Sequence, residues 1–334
     1  MNRGEHPVIS VVMSVRNRAG MLGDCLQGLA NQSIGRDAFE VIVIDNCSTE
    51  ALEPVLERAR TEWGLSIRGD RTKEDRGPAP ARNIGVRMAR GAVIAFTDSD
   101  CRPSPQWLER GVAMMRDEAV ALASGPVLAK PEQKAGFTAK LSFVTTSEHP
   151  TYPTANLFVR REVFLALGGF NESLSFKDPF DRATECADSD LAWRIIEEGH
   201  ERRFDADAIV HHEIENQTLA MWLLEPTRLF LLPELVRRHP QLRGVLLKGR
   251  YFFYPRATVA FAVVAALMAL VVWEPFALVV FAGLLLGWGA WRTRSVDPRR
   301  VVEFCVRAPL HVLRLLILNM TLVYGSIRFR SLVL

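Results

Sequence analysis

Gly91-Ala92-Val93-Ile94-Ala95-Phe96-Thr97-Asp98-Ser99-Asp100-Cys101-Arg102-Pro103 is the stretch on which the reading of this 334-residue chain turns. Val93–Phe96 is short and wholly apolar, the composition of a strand covered on both faces in a parallel sheet. It runs into Asp98-Ser99-Asp100, and Pro103 and Pro105 then forbid the strand to continue. Two carboxylates at the carboxyl end of a buried strand stand where open α/β sheets bind their ligands. Their repulsion is relieved by a hard divalent cation with oxygen ligands; otherwise the triplet is ordinary turn chemistry. What flanks it decides between the two.

Upstream, residues 8–15 are an apolar, β-branched run that reads as the first strand, followed by Arg16-Asn17-Arg18. Met21, Leu22, Leu26 and Leu29 then recur at helical spacing over 19–32. Residues 39–44 read as the second strand, ending at Asp45-Asn46-Cys47-Ser48-Thr49. A helix over 51–62 and a strand over 65–68 follow. Gly77-Pro78-Ala79-Pro80-Ala81-Arg82-Asn83-Ile84-Gly85 opens a helix that reaches residue 90. Such alternation predicts βαβ units and a mostly parallel sheet. Three strand ends then bring polar groups to one edge: 14–17, 45–48 and 98–100.

Downstream, the pattern predicts a helix over 107–116, a strand over 121–128 and a short strand over 154–160. The segment 162–167 leads to the Gly168-Gly169-Phe170 break, and a helix follows over 186–199. Asp188 and Asp190 fall in the first turn of that helix, where its dipole favours negative charge. Ala208-Ile209-Val210-His211-His212-Glu213 closes the domain.

Net charge is only +3, so no polycationic surface suggests a nucleic-acid partner. Cys25, Cys47, Cys101, Cys186 and Cys305 contain no Cys-X-X-Cys pair. That argues against a disulfide framework and structural zinc, and fits a reducing compartment with the cysteines as packing. Residues 1–7 are polar and lead straight into a strand, so no signal peptide is expected.

Composition changes after residue 249. Residues 251–273 are apolar apart from Arg256, long enough for a ~30 Å hydrocarbon core. Glu274-Pro275 makes a turn, and 276–291 is a second uncharged run. Tyr251, Tyr254, Trp273, Trp288 and Trp291 lie near the ends, as interfacial aromatics do. Lys and Arg flank the outer ends but not the turn, which places both ends and the N-terminal domain in the cytoplasm. A buried hairpin of a soluble protein is the alternative. From 301 to 334, Arg307, His311, Arg314, Arg328, Arg330 and Pro309 interrupt the apolar pattern, predicting a basic amphipathic helix on the membrane surface; a third crossing over 309–324, which carries one charge, Arg314, is the alternative. The expected organisation is therefore a domain over 1–220, a helical linker at the membrane surface over 221–250, two transmembrane helices over 251–292 and the amphipathic segment 293–334.

Five motifs occur in register: Val8-Ile9-Ser10-Val11-Val12-Met13-Ser14-Val15-Arg16-Asn17, Glu40-Val41-Ile42-Val43-Ile44-Asp45-Asn46-Cys47-Ser48-Thr49, Gly77 through Asn83, Phe96-Thr97-Asp98-Ser99-Asp100, and Ala187-Asp188-Ser189-Asp190-Leu191. Together, over roughly residues 8–215, they resemble the family-2 inverting glycosyltransferases of the GT-A fold, a Rossmann-like α/β architecture. The resemblance implies that Ser14, Arg16 and Asn17 flank the nucleobase and ribose of a nucleotide-sugar donor, with Asp45 and Asn46 beside them. Many relatives carry an Asp at the Asn46 position that recognises uracil; a UDP-sugar is the first choice of donor. Gly77 and Arg82 match the loop that closes over the nucleotide. Asp98, Ser99 and Asp100 resemble the motif that binds donor and Mg²⁺ or Mn²⁺, with Asp100 the direct ligand and His212, or else His211, completing the shell. Asp188 aligns with the catalytic base, although Ala187 replaces the Glu usual before it, and Asp190 matches a further acid of the motif. Asn156, in Thr154-Ala155-Asn156, lies where relatives approach the acceptor.

These parts imply a metal-dependent enzyme that transfers a sugar with inversion to a hydroxyl of a lipid-linked or cell-envelope glycan, at the cytoplasmic face of the inner (plasma) membrane. A processive polysaccharide synthase is the alternative enzyme, but the chain has no Gln-X-X-Arg-Trp segment. A membrane scaffold with a degenerate nucleotide-binding domain is the alternative without catalysis. The hairpin and the C-terminal segment are each candidates for self-association into a homo-oligomer.

Overall fold

A computed structural model describes residues 7–141, 143–177, 183–253 and 298–334. The chain divides into two units, Met1–Gln217 and Thr218–Leu334. The two apolar runs expected to cross the membrane fall, from residue 254 onward, outside the described residues.

The first unit is built on a seven-stranded sheet. Its first four strands in the chain are β1 (Ile9–Val15), β2 (Phe39–Asp45), β3 (Ile67–Arg71), which forms one edge, and β4 (Val93–Phe96). β1 pairs in parallel with β2 and β4, and β2 with β3, as the alternating sequence predicts. Helices α1 (Ala19–Ala30), α2 (Glu53–Thr61) and α3 (Pro78–Met88) are the crossovers. Ile9, Val11 and Met13 of β1 and Val41 and Val43 of β2 are almost fully buried and pack with Leu22, Leu26 and Leu29 of α1. Because these strands run the same way, their carboxyl ends open at one edge, and residues 16–18, 45–49 and 97–100 are carried there.

Beyond β4 the sheet turns mixed. β5 (Cys101–Pro103) leaves it, and α4 (Trp107–Met114) leads to β6 (Val120–Ser124) and β7 (Val127–Ala129). The single strand expected over 121–128 is thus two, broken at Gly125-Pro126. A Cβ on Gly125 would stand 2.1 Å from the Ala208 carbonyl oxygen, so the two backbones meet where only glycine fits. After β8 (Ala139–Lys140), β9 (Leu157–Arg160) runs antiparallel to both β4 and β6. Helix α5 (Arg161–Ala166), the hairpin β10 (Ser175–Lys177) and β11 (Ala183–Glu185), and α6 (Ala187–Glu197) follow. β12 (Glu201–Phe204) closes the far edge in parallel with β6. β13 (Val210–His212) then forms a small sheet between β5 and β7, and β14 (Glu215–Asn216) pairs with β8.

In the second unit, helical segments at Leu219–Leu224, Glu225–Leu231, Leu232–Arg238 and Leu242–Leu246 occupy the stretch read as a helical linker. A 32-residue helix, Pro298–Phe329, continues through Pro309. Arg314, the only Asp, Glu, Lys or Arg between Pro309 and Tyr324, pairs with Glu225 at 2.5 Å, and its guanidinium lies 4.5 Å over the Trp222 ring. The outward side carries Leu313, Met320, Tyr324 and Ile327, the last 73% exposed. Pro309–Phe329 is long and apolar enough to cross a membrane.

Candidate active site

The site begins with the turn after β4. Thr97 to Asp100 turns back, and β5 leaves antiparallel to β13 in a register that sets His212 opposite Cys101 and His211 opposite Arg102. Alternate residues of a strand point to opposite faces, so this register selects His212 over His211. Ligand atoms of Asp98, Asp100, Cys101 and His212 come within 4.8 Å of one another. His212 Nδ1 donates to the Glu213 carbonyl oxygen at 2.8 Å, which leaves Nε2 facing Asp100 Oδ1 at 3.6 Å. Phe143 stacks on the imidazole at 4.2 Å. The strand is held in turn by Lys130, whose buried ammonium pairs with Asp24 and, at 2.8 Å, with Glu213, while its N–H donates to the His212 carbonyl oxygen.

Charge around this cluster is balanced from the protein side. Arg82 Nη2 donates to Asp98 Oδ1 at 2.7 Å, and Arg18 pairs with Asp100 Oδ2. Burial pushes the Asp98 carboxyl up, but the Arg82 guanidinium and His212 outweigh it and hold the group below its ordinary value. Asp100 Oδ1 is buried without a hydrogen-bond partner among the described residues. A buried carboxylate oxygen aimed at a second carboxylate and an imidazole is the donor set of a hard divalent ion. Burial and the two neighbouring carboxylates push the Cys101 thiol up, and its soft sulfur suits Mg²⁺ or Mn²⁺ less well than the carboxylate oxygens and the imidazole. Asp98, Asp100 and His212 therefore fit Mg²⁺ or Mn²⁺.

Asp188 stands in the first turn of α6, close enough to Arg82 and Asp98 to feel both charges. Burial is the largest influence and pushes its pKa up to about 6, against the backbone N–H groups of Ser189 and Thr154 and the positive charge of Arg82. The Ser189 N–H donates to Asp188 Oδ1 at 2.7 Å. Such a carboxylate is ionised at neutral pH yet basic enough to accept a proton.

The strand-end loops lace together. Asn17, at φ 51°, accepts from the Thr49 N–H through Oδ1 at 2.7 Å, and its own N–H donates to Ser48 Oγ. Asp45 Oδ1 accepts from the Ser48 N–H at 2.8 Å and caps that turn. Asn46 is buried and donates to Asp75 Oδ1 at 2.7 Å. Asp75 also pairs with Arg16 and accepts from the N–H of Gly77, whose φ of 87° suits glycine at the start of α3. Ser14 lies half-buried one residue from the end of β1, and Ser99 is buried in the Asp98–Asp100 turn.

Two expected acceptor-side residues are instead committed inside the domain. Asn156 is 0% exposed; it accepts from Trp107 Nε1 and donates to the carbonyl oxygens of Pro126 and Ala208. Asp190 is 2% exposed and pairs with Arg194 Nε at 2.8 Å, while Arg194 also donates to the carbonyls of Leu167 and Gly169. Both hold neighbouring loops in place. Conversely, the residue pattern gave no weight to Arg18, Asp75 and Glu185. Arg18 adjoins a recognised motif, but a charge in a polar loop carries no signal of the partner it will meet.

A family model described as Glycosyl transferase family 2 matches residues 10–171. Glycosyltransferase AglE of Haloferax volcanii is 30% identical over 216 residues, covering 62% of this chain and 67% of that protein. The chain belongs to glycosyl transferase family 2. A pre-mycofactocin glycosyltransferase of Mycobacterium tuberculosis is 28% identical over 65% of this chain, which spans only 45% of that protein. Among solved structures, the mannosyltransferase PcManGT from Pyrobaculum calidifontis, in complex with GDP-Man and Mn²⁺, superposes with a TM-score of 0.67 at 21% identity, covering 91% of this chain and 87% of its own. Residues 1–349 of S. aureus TarS, in complex with UDP, give a TM-score of 0.51 at 17% identity, over 97% and 92% of the two chains. The fold of this family member is thus GT-A-like, with a mostly parallel sheet.

Proposed function

We propose that this family-2 enzyme is a metal-dependent, inverting glycosyltransferase that moves a sugar from a nucleoside-diphosphate donor to a hydroxyl of a lipid-linked or cell-envelope glycan. One observation carries the reading: three clustered side chains that fit a divalent cation, Asp98, Asp100 and His212, and a separate carboxylate, Asp188, raised to about 6 and charge-coupled to the same Arg82. When bound, Mg²⁺ or Mn²⁺ neutralises charge that gathers on a diphosphate leaving group. Asp188 takes the proton of the acceptor hydroxyl while that oxygen bonds to the anomeric carbon. The bond from that carbon to the β-phosphate oxygen breaks, and its electron pair leaves with the nucleoside diphosphate. A single displacement inverts the anomeric centre. Glycosidases need two carboxyl groups for acid and base roles; a diphosphate leaves without a protonating acid, so one suffices. Arg16, Asn46 and Asp75 offer hydrogen-bond partners to the base and ribose.

PcManGT was solved with GDP-Man and TarS with UDP, so the base is the first unknown. The apolar runs within 251–292 and the helix segment Pro309–Phe329 support attachment to the inner membrane with the first unit in the cytoplasm, beside a lipidic acceptor. Calorimetric titration of the detergent-purified chain with UDP, GDP and dTDP, with and without Mn²⁺, tests the core of the reading. Metal-dependent binding of one nucleotide is expected. A folded protein that binds none of them would favour the scaffold.

A further inference from the structure

Arg82 is a charge that the fold has taken out of water. Its side chain is 7% exposed and lies between two carboxylates from distant parts of the chain. Nη2 donates to Asp98 Oδ1 at 2.7 Å and Nη1 donates to Glu185 Oε1 at 3.2 Å. A buried guanidinium persists only when such partners are present. Asp98 lies in the turn two residues beyond the end of β4; Glu185 ends β11, and only Cys186 separates it from the first turn of α6. That junction is anchored on both sides. The Cys186 N–H donates to the Leu174 carbonyl oxygen at 3.2 Å, and the Asp190 N–H donates to the Cys186 carbonyl oxygen at 3.0 Å. A displacement at Glu185 therefore reaches Asp188 through two residues, Cys186 and Ala187. Ala187, directly before Asp188, is fully buried and offers no carboxylate of its own.

We propose that Glu185 is a positioning residue that, through Arg82, ties the start of α6 to the Asp98 turn and so fixes Asp188 relative to the donor-binding carboxylates. The inference rests on Asp188 being the base, and it needs no contact between Glu185 and substrate. Glu185→Gln keeps an oxygen for Arg82, whereas Glu185→Ala removes it.

The test uses the full chain in detergent with Glu185→Ala, Glu185→Gln and Asp188→Asn. Hydrogen exchange of residues 187–191 is measured with Mn²⁺ alone, and turnover is measured with whichever of UDP-GlcNAc or GDP-Man the wild type hydrolyses. Glu185→Ala should exchange several-fold faster in that turn, while Glu185→Gln stays near wild type. In turnover, kcat should fall about 10²-fold in the Ala variant, the scale of a misplaced group, with KM for the donor little changed. The Gln variant should recover most of it. Wild-type exchange in Glu185→Ala, or a Gln variant as impaired as the Ala variant, overturns the proposal. Retained turnover in Asp188→Asn sinks the base assignment instead, and the exchange data still decide whether the tie exists.

Discussion

The tripeptide Asp-Ser-Asp occurs twice in this chain, at 98–100 and at 188–190, and the fold makes different things of the two copies. The first sits in a turn after a buried strand, where both carboxylates meet one point shared with His212. Arg82 and Arg18 pair with them, and the Asp98 carboxyl is held below its ordinary range. The second copy sits in the first turn of a helix, where residues two apart face different sides. Asp190 turns inward to Arg194, while Asp188 has no cation in direct contact among the described residues and is raised to about 6. Backbone conformation and the supply of cations, rather than the letters, set the chemistry of each copy.

Asp188→Asn should break the contrast most severely. General-base loss is worth about 10²–10⁴-fold in kcat, so turnover should collapse by that factor while metal-dependent nucleotide binding survives in calorimetry. Asp100→Ala should do the converse, lowering Mn²⁺-dependent nucleotide affinity by at least about 10–100-fold, the loss that even outer partners of metal ligands produce. If the two variants fail in the same way, the division of labour between the triplets is wrong. Asp190→Asn leaves Arg194 half-paired and should cost about 1–3 kcal/mol of unfolding free energy in urea, with turnover per folded molecule retained. A large kcat loss at unchanged stability would return Asp190 to the acceptor side.

The smallest effect is in pH. Asp188 must be ionised to accept a proton, so kcat should decline as pH falls below about 6. The linkage runs the other way for stability. A carboxyl raised from 3.8 to about 6 in the folded state destabilises the fold progressively as pH rises between those values, and by a constant amount above them. Asp188→Asn should therefore melt no lower than wild type at pH 8, and their difference should shrink toward pH 4. A lower melting temperature at pH 8 would contradict the burial that raises this group.

Much of the fold was legible because βαβ repetition writes itself in periodicity. Val93–Phe96, the strands before it and the helices between them emerge where the apolar patterns put them, within one to three residues. The edges were harder. β12 reads Glu-Arg-Arg-Phe, mostly exposed, so its apolar alternation is too weak to announce a strand. β5 was obscured by Pro103, which nevertheless stands opposite Val210 in the small sheet. At the site, Asp98, Asp100 and Asp188 stood out as carboxylates at element ends. The choice between His211 and His212 depended on a strand register formed across the domain. Asn156 was placed on the acceptor side by the resemblance alone, and it sits where Trp107, Pro126 and Ala208 converge.

The pairing of β5 with β13 has a consequence for biosynthesis. A nascent chain that has emerged as far as Phe204 already carries every strand of the seven-stranded sheet, from β1 to β12. It still lacks His212, which reaches Asp100 only when Val210–His212 docks between β5 and β7. The trio that fits the ion is thus complete only once β13 has been made and docked. A domain stalled short of β13 has the outline of the enzyme but only two of the three side chains that fit the ion.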